Sequence, residues 1–138
     1  MDTSEVSEPV AGAVIYASDF VRLSNFYSRL LGFVVVENDT EHVLLRSASF
    51  ELVIITTAQS RETVDVTAPP TPRMQVAIKP VFYVNDLAAA RATAHALGGG
   101  LKPKVHEWHF RDCIVCDGFD PEGNIFQLRQ REMPRRSS

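Results

Sequence analysis

The sequence has no long apolar run, only two cysteines and no excess of positive charge. No segment approaches the roughly 18 consecutive apolar residues that a membrane-spanning helix needs. The net charge is −3, whereas a nucleic-acid-binding surface requires clustered positive charge. The opening stretch MDTSEVSEPV is acidic, whereas a secretory signal begins with basic residues before an apolar core. We therefore expect a cytoplasmic protein whose partners include neither nucleic acid nor membrane.

The two cysteines, Cys113 and Cys116, form a CxxC pattern that is typical of redox or zinc sites in other contexts. The surrounding residues, RDCIVC, are apolar and β-branched, and they predict a strand over residues 111–116. On a strand, residues three apart point to opposite faces, which suits neither a disulfide nor shared metal ligation. We interpret the pair as two buried thiols.

Other patterns of catalytic chemistry are also missing. No Ser–His–Asp or Cys–His arrangement has a spacing suited to nucleophilic hydrolysis, and Gly98–Gly100 follows a predicted helix, which is the wrong end for binding phosphate. One basic cluster lies near the end of the chain, beside Ser137 and Ser138, and is typical of a solvated tail. It consists of Arg129, Arg131, Arg135 and Arg136.

The chain does contain an internal repeat. VIYASDFVRLSNFYSRLLG, residues 14–32, and VFYVNDLAAARATAHALGG, residues 81–99, share five identities at a constant offset of 67 residues. The identical pairs are Val14/Val81, Tyr16/Tyr83, Asp19/Asp86, Leu30/Leu97 and Gly32/Gly99. They fall on residues that begin a strand, cap a helix and end that helix, so they predict two modules of the same structure.

Each copy predicts a strand, a capped helix and then three strands. Asp19 and Asp86 can accept backbone N–H bonds at a helix start, and Gly32 and Gly98–Gly100 supply the positive φ that ends a helix. Apolar residues recur at helical spacing between these signals, at Phe20, Leu23, Tyr27 and Leu30, and at Leu87, Ala90, Ala94 and Leu97. The strand-like runs that follow are 33–37, 42–46 and 50–56, then 101–104, a run around 110–116, and 124–129.

The order βαβββ therefore occurs twice in one α+β domain, residues 10–131. The first module spans 10–57 and the second spans 76–131. Residues 58–75 between them contain three prolines and many polar residues, which predict a linker loop. We expect flexible tails at residues 1–9 and 132–138.

Three features of the sequence resemble those of the vicinal oxygen chelate superfamily. This superfamily includes glyoxalase I, extradiol dioxygenases, and fosfomycin- and bleomycin-resistance proteins. FYSRLLGF (26–33) resembles its helix-to-strand signature, the strand-then-Asp openings match its paired modules, and DPEGNIFQL (120–128) resembles its closing turn and strand. The resemblance covers about residues 10 to 130. It implies the glyoxalase/bleomycin resistance fold, a curled mixed sheet around a ligand cavity, and a homodimer. The turn at residues 120–123 is also expected without the family, because Asp-Pro-x-Gly is a type I turn signature.

In metal-dependent members of the superfamily, four cavity-facing strand positions hold a divalent metal that polarises the substrate. The resemblance places these positions at Gly12, Glu51, Lys79 and Gln127. Gly12 offers no side chain, Lys79 is a cation and Gln127 is a weak oxygen donor, so Glu51 alone is a good ligand. The four histidines sit where surface or core roles are more common than ligation. We therefore expect no cofactor, while a divalent metal at an atypical site stays open as an alternative.

A metal-free cavity makes Lys79 the most informative residue. Its ammonium, paired with Glu51, would replace the charge of the metal and bind a ligand carboxylate, enolate or phosphate. The alternative is a solvent-exposed lysine at a strand start. Strand periodicity adds apolar and phenolic neighbours to this cavity, with Trp108 and Phe110 at its edge. The candidate ligand-binding residues are Tyr16, Glu51, Lys79, Tyr83, Trp108 and Gln127.

The leading hypothesis is a metal-free protein that binds a small organic molecule, as bleomycin-resistance-type proteins do. The charge of −3 is compatible with a cationic ligand. The alternative is an enzyme of the superfamily, either a glyoxalase-type lyase or isomerase or a dioxygenase. Such an enzyme would have an atypical metal site, or would use Lys79 or Glu51 as a metal-independent acid or base. Whether any reaction is catalysed stays open.

Overall fold

The chain forms two compact units, Met1–Ala68 and Pro69–Ser138, in a computed structural model that describes residues 9–56 and 70–132. The elements of the first unit are β1 (Ala11–Ala17), α1 (Phe20–Leu31), β2 (Val34–Asn38), β3 (His42–Arg46) and β4 (Phe50–Thr56). Those of the second unit are β5 (Val81–Tyr83), α2 (Leu87–Ala96), β6 (Gly100–Leu101), β7 (Trp108–Phe110), β8 (Cys113–Phe119) and β9 (Ile125–Arg131).

Each unit holds one mixed sheet. The first sheet has the strand order β1-β4-β3-β2, and the second has the order β5-β9-β8-β6, with β7 also paired to β8. In both sheets the strand before the helix pairs in parallel with the last strand of the unit. The predicted α+β class is therefore confirmed, and α1 and α2 begin 67 residues apart (87 − 20), as the repeat requires.

The helices begin and end at the predicted residues. The carboxylates of Asp19 and Asp86 each accept a backbone N–H at 3.1 Å, from Arg22 and Ala89. Gly32 ends α1 with φ of 73°, a left-handed conformation that glycine adopts without steric cost. The helices bury their apolar stripes, and α1 packs on β1, β3 and β4 while α2 packs on β6 and β9.

Two predictions about the strands of the second unit were wrong. The run 101–104 is not one strand, because β6 ends at Leu101 and Pro103 then begins a turn of 3-10 helix at Lys104–His106. The chain rejoins the sheet as β7, so β6 and β7 share β8 as their neighbour. The run 111–116 does not begin as a strand either, because Arg111 has φ of 55° and forms a hairpin loop with Asp112.

The CxxC motif lies on β8 as two free, buried thiols, as predicted. Burial raises the pKa of Cys113, and the neighbouring charge of Asp112 adds to that effect. Burial also raises the pKa of Cys116, although the guanidinium of Arg91, 3.4 Å from its sulfur, opposes the shift. Both thiols are therefore weak nucleophiles in the folded chain.

The predicted tails and the predicted linker lie mostly outside the described residues. The predicted tails lie outside the described residues except for Pro9 and Glu132. The linker lies outside them except for residues 70–75, which form no helix or strand. Among the described residues, no helix is long and apolar enough to cross a membrane.

The turn between β8 and β9 is built around Asp120, whose side chain is fully buried. Its Oδ1 accepts the backbone N–H groups of Glu122 at 2.8 Å and Asn124 at 3.0 Å, and its Oδ2 accepts the Asn124 side-chain amide at 2.9 Å. Gly123 has φ of 85°, and a Cβ there would clash with the carbonyl oxygen of Thr71. This turn fixes the β8–β9 register, in which Phe119 lies opposite Ile125.

Replacing Asp120 with alanine should cost about 3 kcal/mol of unfolding free energy, because three partly buried donors lose a charged, fully buried acceptor. The matched control is Asp86→Ala, which removes an exposed helix cap and should cost about 1 kcal/mol. Urea unfolding followed by circular dichroism measures both values. An equal or smaller loss for Asp120→Ala would show that the turn does not depend on this carboxylate.

Both thiols should react slowly with Ellman's reagent in the native protein and rapidly in urea, because burial lowers both access and the thiolate fraction. The Cys113→Ser and Cys116→Ser variants assign each rate to one sulfur. Rapid native reaction of either thiol at mildly alkaline pH would contradict the buried interpretation.

Candidate functional site

Four polar side chains form a connected row on one face of the second sheet, the face opposite α2. Lys79 Nζ lies 2.7 Å from Asp117 Oδ2, and Gln127 Nε2 donates to Asp117 Oδ1 at 3.3 Å. Arg129 Nε donates to Gln127 Oε1 at 2.8 Å. We call Lys79, Asp117, Gln127 and Arg129 the polar row. Asp117 is the one carboxylate of the row, and it pairs with Lys79, while Arg129 is linked to it only through the Gln127 amide.

Strand pairing explains why these residues meet. Gln127 on β9 lies opposite both Val81 on β5 and Asp117 on β8. Lys79 lies two positions before Val81, just outside β5, and its contact with Asp117 places its ammonium on the same side. Gln127 is only 7% exposed, and both ends of its amide are hydrogen-bonded within the row. The buried amide of Gln127 therefore holds the side chains of Asp117 and Arg129 in place.

Exposed aromatic side chains lie beside the polar row on the same face of the sheet. Arg129 lies opposite Tyr83 on one side and Val115 on the other, and Val115 lies opposite Trp108. Tyr83, Trp108 and Phe110, which we call the aromatic margin, are 47%, 40% and 46% exposed. The guanidinium of Arg129 lies 5.0 Å from the centre of the Phe110 ring, and that of Arg131 lies 4.1 Å from the centre of the Tyr83 ring.

A pocket of about 230 Å³ adjoins the polar row. Its walls include Met74, Leu101, Phe119 and Ile125, and Asp117 also lines it. Apolar walls with a few placed polar groups are typical of small-molecule sites, although many drug-sized sites are larger. The volume suits a small organic molecule or one end of a longer one. Asp117 joins the pocket to the polar row because it belongs to both.

In the first unit, Gly12, Val14 and Tyr16 lie on the sheet face opposite α1, with Gly12 directly opposite Glu51. A Cβ at position 12 would lie 2.7 Å from the Glu51 carbonyl oxygen, so any side chain there forces the strands to move. Glu51 Oε1 accepts from Arg46 Nε at 3.1 Å. Within its own unit, each of the two charged candidates has an ion-pair partner: Arg46 for Glu51 and Asp117 for Lys79.

The predicted site residues fall into two groups. Lys79, Tyr83, Trp108 and Gln127 come together on one face of the second sheet, while Tyr16 and Glu51 share a face of the first. Asp117 was missed, although counting back from the Asp120 turn would have placed it opposite Gln127.

The prediction of a basic tail was wrong for Arg129 and Arg131. Both residues lie on β9. Arg135 and Arg136 lie outside the described residues.

The donor set at the four family positions does not fit a divalent metal. Position 12 has no room for a side chain, and Lys79 places a cation where a ligand would be needed. Gln127 already uses its amide oxygen to accept from Arg129 and its nitrogen to donate to Asp117. Within residues 9–56 and 70–132, no group of three or more His, Cys, Asp or Glu side chains is placed to hold a metal ion.

Comparisons with known proteins agree with this fold. A family profile for the glyoxalase-like domain matches residues 12–129. No curated protein matches the sequence significantly. Among solved structures, an enzyme of the glyoxalase/bleomycin resistance protein/dioxygenase family from Burkholderia phytofirmans PsJN is similar, with 18% identity and a TM-score of 0.66. The match covers 91% of this chain and 100% of that one.

Two resistance proteins share the fold as well. A bleomycin resistance determinant encoded on transposon Tn5 is 19% identical with a TM-score of 0.54, covering 91% of this chain and 100% of its own. The fosfomycin resistance protein FosX from Mesorhizobium loti is 10% identical with a TM-score of 0.62, covering 95% and 98%. Identities this low show the fold alone. Because the family profile spans most of the sequence, the chain belongs to the glyoxalase-like domain family of the vicinal oxygen chelate superfamily.

Proposed function

We propose that this chain is a metal-free member of the superfamily that binds a small organic molecule on the second sheet, at the face opposite α2. The supporting observation is that three features lie on this face and adjoin one another. These are the polar row, the apolar pocket and the exposed aromatic margin. Buried polar groups that hold one another in place beside an apolar pocket provide orientation, while the pocket provides most of the favourable burial.

Lys79 is the residue that takes the place of a metal charge. Its ammonium can donate three hydrogen bonds, of which Asp117 accepts one, and its side chain is 36% exposed. It can therefore reach a ligand oxygen without leaving its carboxylate partner. Asp117 and Gln127 fix where that charge lies, which reduces the conformational entropy lost on binding.

Metal-independent acid–base catalysis is the alternative that one observation favours. Lys79 and Asp117 form a cation–carboxylate contact of 2.7 Å at the edge of a pocket, which is an arrangement suited to moving a proton. A Lys79→Arg variant separates the two functions. Arginine keeps the charge needed for binding but is too basic to exchange a proton, so retained binding with lost turnover would favour the enzyme.

The proposal includes a cytoplasmic location and a homodimer. The homodimer is supported by edge strand β2, where Val34, Val35 and Val36 are all exposed. An edge strand with three exposed valines is a surface that a second copy can cover.

Protein purified without chelators should contain far less than one equivalent of nickel, zinc, iron or manganese, because the four family positions do not supply a metal-binding donor set. Elemental mass spectrometry measures the content. Adding each metal should also leave the melting temperature unchanged, since a ligand bound to the folded state would raise it. Stoichiometric metal that is removed by chelation together with an activity would contradict the proposal.

The Lys79→Met variant should lose affinity for small aromatic molecules that quench Trp108, the single tryptophan, while its stability changes by less than about 1 kcal/mol. The loss of affinity follows from removing the positioned cation, and the small stability change follows from the partial exposure of the ion pair. Lys104→Met, which removes an exposed lysine on the 3-10 turn, is the matched control. Unchanged binding in Lys79→Met would exclude Lys79 from the site.

A further inference from the structure

We infer that this face of the second unit selects small organic anions that carry a flat apolar group. The inference rests on the proposed function and names the ligand class of the same site. Three properties of the face support it: its charge, the hydrogen-bonding capacity of its two arginines and the position of its aromatic rings.

The face is positive in a chain that is negative overall. Lys79, Arg129 and Arg131 contribute three cations and Asp117 one carboxylate, a balance of +2 (3 − 1), against −3 for the whole chain. A positive face on a protein of negative net charge attracts anions at short range. The whole-chain charge suggested a cationic ligand, whereas the charge of this face favours an anionic one.

The two arginines keep hydrogen-bonding capacity for a ligand. Arg129 donates its Nε to Gln127, and no carboxylate in the described part of the chain pairs with Arg129 or Arg131. A guanidinium has five N–H donors in a fixed plane, so most of these donors stay available. The contacts with the Phe110 and Tyr83 rings hold the two guanidinium groups in place before a ligand arrives.

Asp117, in contrast, has no comparable capacity for a cationic ligand. Both of its oxygens already accept hydrogen bonds, from Lys79 and from Gln127, and its side chain is only 14% exposed. A ligand ammonium that approaches Asp117 would be repelled by the ammonium of Lys79, which lies 2.7 Å from the same carboxylate. A ligand carboxylate needs no such exchange, because it can accept from the arginines directly.

The aromatic margin favours a flat apolar group on that anion. Tyr83, Trp108 and Phe110 present exposed ring surface beside the arginines, and the pocket adds the apolar walls of Met74 and Phe119. A planar ring can stack on either surface while its carboxylate meets a guanidinium.

Collisional quenching of Trp108 tests the charge of the face without a ligand. Iodide should quench Trp108 more efficiently than caesium once both are normalised to N-acetyltryptophanamide, with acrylamide reporting simple access. Arg131→Gln should reduce the ratio of iodide to caesium quenching. Arg29→Gln, which removes one charge from the exposed last turn of α1, should leave it unchanged. Equal quenching by the two ions in the unmodified protein would overturn the inference.

Three naphthalene probes of the same size test the ligand class. Calorimetry should show 2-naphthoate binding about tenfold more tightly than 2-naphthamide or 2-naphthylmethylammonium, because one charge-assisted hydrogen bond is worth about 1.5 kcal/mol or more. The preference should disappear in Arg131→Gln and persist in Arg29→Gln. Equal affinities, or tighter binding of the ammonium, would overturn the anion preference and leave the proposed function standing. Failure of all three probes to bind would remove both.

Discussion

The carboxylate of Asp120 is the contact on which the second unit's site depends. By accepting two backbone N–H groups and one side-chain amide, it closes the turn that pairs Phe119 with Ile125. From that pair the register places Asp117 opposite Gln127 and Val115 opposite Arg129. A slip of one residue would turn Gln127 towards α2 and disperse the polar row. A local turn thus determines a functional surface several residues away.

The sequence predicted whatever depends on local chemistry. Asp19 and Asp86 cap helices, the Asp-Pro-x-Gly turn forms, and the offset of 67 residues recurs in the helix starts. Cross-strand features could not be predicted in the same way. The Lys79–Asp117 pair and the stacking of Arg131 on Tyr83 depend on register between segments far apart in sequence. The break between β6 and β7 arises at Pro103, which cannot donate to the ladder.

The superfamily fold leaves the chemistry to the side chains that it carries. The family resemblance places metal ligands at positions where this chain has close backbone packing at Gly12 and an ion pair at Lys79. An ammonium supplies one positive charge with directional donors, whereas a metal supplies open coordination positions that polarise a substrate. An ammonium in place of the metal favours recognition of an anion. Binding is therefore the function that this site supports best.

The proposed function requires that the polar row hold an organic ligand rather than a metal. The most direct test follows the side-chain resonances of Gln127 Nε2 and Arg129 Nε in 15N–1H spectra during two titrations. If the row binds organic anions, 2-naphthoate should shift both resonances and nickel(II) should leave their positions and widths unchanged. Selective broadening of these two signals by nickel, with no response to 2-naphthoate, would contradict the proposed function.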